Sequence, residues 1–129
     1  MYDEIFGKAE IHLRSFVCNP ESIIGEVIIE QEVFVAPGAV IRADECGPFR
    51  ICKGTNIQDL AILHGLFEKY VEVDGVKYSI HIGSHCSITH GAKIHGPCQI
   101  GKKTFIGFDA KVQEMSRSRI GDLLRMAWW

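Results

Sequence analysis

The chain has 129 residues, a formal charge of −2 at pH 7 and 47% hydrophobic residues, which is one domain with its own core and no basic stripe to hold nucleic acid. No apolar run approaches membrane-spanning length, and the start, Met1-Tyr2-Asp3-Glu4, lacks the basic and apolar regions of a signal peptide. Five cysteines without a Cys-x-x-Cys pair make a reducing cytoplasm the expected setting.

Residues 1–22 read as an amino-terminal cap segment. From Ile23 onward, aliphatic residues recur at every sixth position. Ile23, Ile29, Val35 and Ile41 open the series, with Val27, Val33 and Ala39 four residues after the first three. Ile51, Ile57 and Leu63 continue it, with Thr55 and Ala61 as partners. The last run is unbroken: Ile82, Ile88, Ile94, Ile100, Ile106 and Val112, trailed at the same offset by Cys86, Ala92, Cys98, Thr104, Ala110 and Ser116. Isoleucine, leucine and valine make up about a quarter of the chain, so six such hits in a row have a chance of about one in several thousand per starting residue. Neither a helix nor an alternating strand has a period of six. A hexapeptide repeat does, and it marks an all-β parallel β-helix. Each repeat is a short strand and a corner, and three repeats make one triangular coil. The aliphatic residue points inward and the small one fits beneath the corner. Ile29, Val35, Ile57, Ile88, Ile94, Ile100 and Ile106 are therefore expected inside, and Cys86 and Cys98 become small core residues. Cys18, Cys46 and Cys52 carry no assignment.

Two interruptions break the phase. Four extra residues fall between Ile41 and Ile51, and thirteen between Leu63 and Ile82. In the second, Asp74-Gly75 separates two alternating runs ending at Val73 and starting at Val76, a strong hairpin signal. Residues 66–80 are expected to leave the prism and return. The predicted organisation is a single domain 1–129, with the β-helix over 23–117 in roughly four to five coils. An atypical tail over 118–129 follows. Its Met126, Trp128 and Trp129 could cap the open end, enter an oligomer contact or end a shortened chain.

Counting faces converts sequence into position. With Ile82, Ile88 and Ile94 on faces one, two and three, Leu63 and Ile41 also lie on face three. The next residue in each case points outward, giving a column of Arg42, His64, His95 and Gln113. Stacked coils lie about 4.8 Å apart, so His64 and His95 could share a metal ion. His90 follows a face-two residue and diverges from the column around the corner. A threefold arrangement of identical prisms would bring it against a neighbour's column. Three neutral imidazoles with an open fourth position are the ligand set of a catalytic zinc site, where bound water titrates near pH about 7. A single outward histidine is more often a plain surface residue, and His12, His81 and His85 show no such alignment. Arg42, Asp44 and Glu45 cluster at the first insertion, and Asn56, Gln58 and Asp59 on the approach to His64. These could be a solvated face, could orient ligands and bound water, or could pair across subunits, as Arg42 with Asp44 or Asp59.

The stretches Val40-Ile41-Arg42-Ala43-Asp44-Glu45, Asn56-Ile57-Gln58-Asp59 and Leu63-His64-Gly65 resemble the gamma-class carbonic anhydrases. So do Ser87-Ile88-Thr89-His90-Gly91-Ala92-Lys93-Ile94-His95-Gly96-Pro97 and Phe105-Ile106-Gly107. The likeness covers roughly residues 22–114 and is to the branch containing an archaeal enzyme and the amino-terminal domain of a carboxysome scaffold protein. It implies a left-handed β-helix, a homotrimer, and zinc at subunit interfaces, with Fe2+ or Co2+ able to use the same ligands. His64 and His95 would come from one subunit and His90 from the next. Gln58, supported by Asn56, would contact the hydroxide or CO2, and Glu45 would assist proton transfer. Arg42, Asp44 and Asp59 would tie subunits together. The chain departs from the family in two ways. The archaeal enzyme's proton-shuttling glutamate, three residues after the first ligand, is here Phe67, with Glu68 beside it. The family also continues with more coils and a carboxy-terminal helix. The expected function is zinc-dependent hydration of CO2 to bicarbonate, a lyase reaction. The alternatives are a catalytically weak or silent trimeric metal-binding scaffold and, less well supported, a hexapeptide acyltransferase. Neither nucleic acid nor membrane is an expected partner.

Overall fold

Three parallel ladders, one per face of a triangular prism, define the architecture. The computed structural model describes residues 5–113, together with the backbone of 116–117 and 123–124. On face one stack β1 (Glu10–Ile11), β4 (Val27–Ile29), β7 (Phe49–Ile51), β12 (Ile80–Ile82), β15 (Cys98–Ile100) and β18 (Ser116–Arg117). Face two holds β2 (Phe16–Val17), β5 (Phe34–Val35), β8 (Asn56–Ile57), β13 (Ser87–Ile88), β16 (Phe105–Ile106) and β19 (Leu123–Leu124). Face three holds β3 (Ile23–Gly25), β6 (Val40–Ala43), β9 (Ile62–His64), β14 (Lys93–His95) and β17 (Lys111–Val112). The chain visits the faces in that order and winds as a left-handed β-helix.

The period-six residues build the core. Ile29, Val35, Ile57, Ile88, Ile94, Ile100 and Ile106 are each no more than 2% exposed. Each such side chain contributes about 1.5–3 kcal/mol by leaving water. The small corner partners are equally buried, Cys86 and Cys98 among them. Thr55, a polar residue in such a corner, is satisfied there: its hydroxyl donates to the Gly83 carbonyl at 2.8 Å and accepts from the Cys86 amide at 3.1 Å. Small size and satisfied polarity let the corner turn without a void or an orphaned group.

The prism extends beyond the expected 23–117 in both directions. Ile11 pairs with Ile29 and Val17 with Val35, so residues read as a cap already form rungs. Both stand in phase, twelve and six residues before Ile23. Ser15 and Glu21 occupy their corner offsets, and Glu21 is neither small nor apolar, which hides the repeat. At the other end Leu124 pairs with Ile106, again in phase. The proposed capping residues Met126, Trp128 and Trp129, and the side chain of Ser116, lie outside the described residues.

The second insertion is a hairpin. The strands β10 (Val71–Val73) and β11 (Val76–Tyr78) pair antiparallel, and Asp74 and Gly75 both take positive φ, 50° and 79°. A two-residue turn with both φ positive suits the twist of the flanking strands. The hairpin buries Val71 and Tyr78 and re-enters the prism at Ser79. Among the described residues no helix is long and apolar enough to cross a membrane.

Candidate metal centre

Register builds the histidine column. On face three Arg42 pairs with His64, and His64 with His95. The two imidazoles sit on adjacent coils with ring centroids 5.5 Å apart and planes at 79°. His95 Nδ1 lies 2.8 Å from the Gly96 carbonyl. A carbonyl can only accept, so that nitrogen carries the proton and the lone pair sits on Nε2. Asp44 approaches His64 from the first insertion, with Oδ1 3.8 Å from Nε2. Its other oxygen accepts from Arg42 at 3.0 Å. Burial pushes the Asp44 carboxyl up, but the Arg42 hydrogen bond and charge outweigh it and hold the group below the usual carboxylate range. Oδ1 itself is buried without a hydrogen-bond partner.

His90 stands apart, as its face demands. It follows Thr89 on the corner after β13, and its Nδ1 lies 3.4 Å from Asp59 Oδ1. Its ring packs on Phe108, centroids 5.2 Å apart. Gly91 follows with φ of 72°, and a side-chain carbon there would collide with the Asp109 carboxylate. Among the described residues no three ligating side chains of one chain converge.

Gln58 and Asn56 form one unit. The Asn56 amide nitrogen donates to Ser87 Oγ at 3.0 Å and reaches the Cys86 carbonyl at 3.5 Å. Its oxygen must then face Gln58, which donates from Nε2 at 2.7 Å. One backbone carbonyl thereby fixes the orientation of both amides. Glu45 and Glu68 are exposed on the two insertions. These segments are tied one residue further on: the Cys46 thiol donates to the Lys69 carbonyl at 3.8 Å. Phe67 is 65% exposed.

The structure thus gathers His64, His95, Arg42 and Asp44 at one edge, Asn56 with Gln58 on face two, and Asp59 with His90 on the next corner. Arg42 and Asp44 pair within the chain, and Asp59 attends His90. Sequence reasoning passed over Ser87, Phe108 and the Gly96 carbonyl. Ser87 was findable, since it precedes a face-two aliphatic as Asn56 does and the two are register partners. His81, which shows no alignment with the column, has its Nε2 3.8 Å from Cys52 Sγ in a face-one groove of about 560 Å³. The donor set along the column, two imidazoles with a buried carboxylate oxygen 3.8 Å from the Nε2 of one of them, fits a borderline ion such as zinc.

No family model matches the chain. It is 47% identical over 106 residues to the carboxysome assembly protein CcmM of Nostoc sp., covering 81% of this chain and 19% of that protein. It is 39% identical over 118 residues to a carbonic anhydrase of Methanosarcina thermophila, covering 84% of this chain and 47% of that one. The chain therefore spans less than half the length of either relative. The crystal structure of a hexapeptide transferase family protein from Anaplasma phagocytophilum superimposes with a TM-score of 0.63 at 26% identity, over 92% of this chain and 67% of the other. Fold and repeat place the chain among the left-handed β-helix proteins of the hexapeptide-repeat class. Within that class, it belongs to the gamma-class carbonic anhydrase family.

Proposed function

We propose that this chain forms the β-helical part of a gamma-class carbonic anhydrase that hydrates CO2 to bicarbonate at sites shared between the subunits of a homotrimer. The observation that carries the reading is the stacking of His64 on His95, with His90 held by Asp59 around the corner. In this reading His64 and His95 of one subunit and the neighbour's His90 hold a zinc ion, or Fe2+ or Co2+. When bound, such an ion supplies Lewis acidity that brings the pKa of water to about 7. The chain's own residues do the rest. Asp59 and the Gly96 carbonyl orient the imidazoles of His90 and His95. Gln58, its nitrogen committed to Asn56, has a carbonyl oxygen with which to accept a hydrogen bond from the reacting water and set its direction. Glu45, on the first insertion, takes up the water's proton, and Glu68, on the second, passes it on. Arg42 and Asp44 brace the edge where subunits meet.

Metal analysis of the purified protein followed by stopped-flow CO2 hydration tests this directly. Metal in the shared site with accelerated hydration is expected. Protein that holds metal but leaves hydration at the buffer rate even with saturating imidazole favours a second reading. That reading, a trimeric scaffold module, is supported by the 47% identity to a carboxysome assembly protein and by Phe67 at the shuttle position. An acyltransferase reading rests on the structural likeness alone and leaves the stacked pair without a role.

A further inference from the structure

We infer that Ser79, where the hairpin rejoins the prism, is a positioning residue that sets the spacing of His64 and His95. This rests on the column's being the metal site, and it concerns a residue on another face. Ser79 is fully buried, and its hydroxyl has no hydrogen-bond partner. Its backbone is locked between coils: the amide donates to the Pro48 carbonyl at 2.9 Å, and the carbonyl accepts from Cys98 at 3.1 Å. The side chain fills a corner left open by two glycines, each the residue after a column histidine. A carbon added to Gly65 would fall on Ser79 Oγ and lie 2.8 Å from the Cys46 carbonyl. A carbon added to Gly96 would lie 2.5 Å from the Ser79 carbonyl and 3.1 Å from Oγ. The Gly96 amide in turn donates to the His64 carbonyl at 2.8 Å. Ser79 therefore stands against the two glycines that follow the histidines, at the point where their coils stack. A buried hydroxyl with no partner does not favour folding. Its size and reach suit a spacer, and the hairpin's return delivers it to that corner.

The test uses the full chain with Ser79→Ala, Ser79→Cys as the conservative variant, and His64→Ala as the ligand control. The readouts are the thermal midpoint, Co2+ affinity with the visible spectrum of the Co2+ form, and NMR shifts of the imidazole rings without metal. Ser79→Ala should melt no lower than the parent. It should nevertheless bind Co2+ about tenfold more weakly with a changed spectrum, the size of effect found when a group orienting a ligand is lost. Without metal, its His64 and His95 ring signals should move while those of His12 and His85 stay. Ser79→Cys should restore the parent's values. Parent-like ring signals and Co2+ binding in Ser79→Ala would overturn the inference. If the parent binds no Co2+, or His64→Ala binds it equally well, the metal reading falls, and the ring shifts still decide whether Ser79 sets the spacing.

Discussion

His64 stands over His95 as its register partner one coil away, while His90, though closer to His95 in sequence, belongs to another face. The chain cannot bring the three together by itself, so a site made of all three must be completed by a second copy. Complementation follows. His64→Ala and His90→Ala chains should each fold with a parent-like circular dichroism spectrum and each purify without metal. Co-expressed, they should regain it, because the column of a His90→Ala chain and the His90 of a His64→Ala chain make one whole site. Metal analysis of the mixed trimers reads the outcome, and mixed material as empty as the single variants would count against sharing.

The amide pair on face two predicts a separation of binding from chemistry. Gln58 hydrogen-bonds to Asn56, and its orientation is inherited from Asn56 and Ser87. Gln58→Ala should keep full metal content and lose about 10²–10³-fold in kcat/KM, the usual cost of removing one positioned polar group at a reacting centre. Asn56→Ala should lose less, since the Gln58 side chain remains, though without its partner. Loss of metal in Gln58→Ala would assign the residue to the structure of the site instead.

The proton path is the next weak link. General acid–base relays contribute about 10²–10⁴-fold, and Phe67 has no proton to give. Added imidazole should therefore raise turnover of the metal-loaded protein steeply and saturate. Phe67→Glu should raise turnover in buffer lacking imidazole and flatten the imidazole response. Equal imidazole dependence in both proteins would show that Glu45 and Glu68 already carry the flow.

The coils were legible because a period of six is unambiguous, and the column followed from counting faces. Where the count failed, Glu21 stands where a small corner residue belongs after Val17 and cuts the repeat off from the rungs before it, so those through Ile11 and Val17 read as a cap. The stacking of His64 on His95 was readable; the orientation of each ring was not, because it depends on a backbone carbonyl after His95 and a carboxylate on a bent insertion. Asp59 was recognisable as polar and near the site, but its role beside His90 depends on the shape of the corner. Ser79 left no sequence signal at all, since it ends an insertion that lies outside the repeat.

His81 gives the pH prediction. It lies on face one against the Tyr78 ring, centroids 5.0 Å apart, with Nδ1 buried and unpartnered. Burial, and then the nearby Arg50 guanidinium, hold its pKa below the ordinary 6.5, against weaker opposing pulls from Glu30 and Asp74. Arg50 is itself fixed there by its ion pair with Glu30, 2.7 Å. The Cys52 thiol beside it is pushed up to about 11 by burial and so stays neutral. The folded protein therefore prefers neutral His81 more than the unfolded chain does. Its contribution to stability is complete above pH 6.5 and is lost as pH falls from there through the depressed folded value. In metal-free protein the thermal midpoint should drop between pH 7.5 and pH 5, and His81→Gln, which carries no titrating group, should show a shallower drop. The comparison cancels the other histidines, which both proteins share. An identical pH slope in parent and variant would mean that His81 takes up its proton in place, at no cost to the fold.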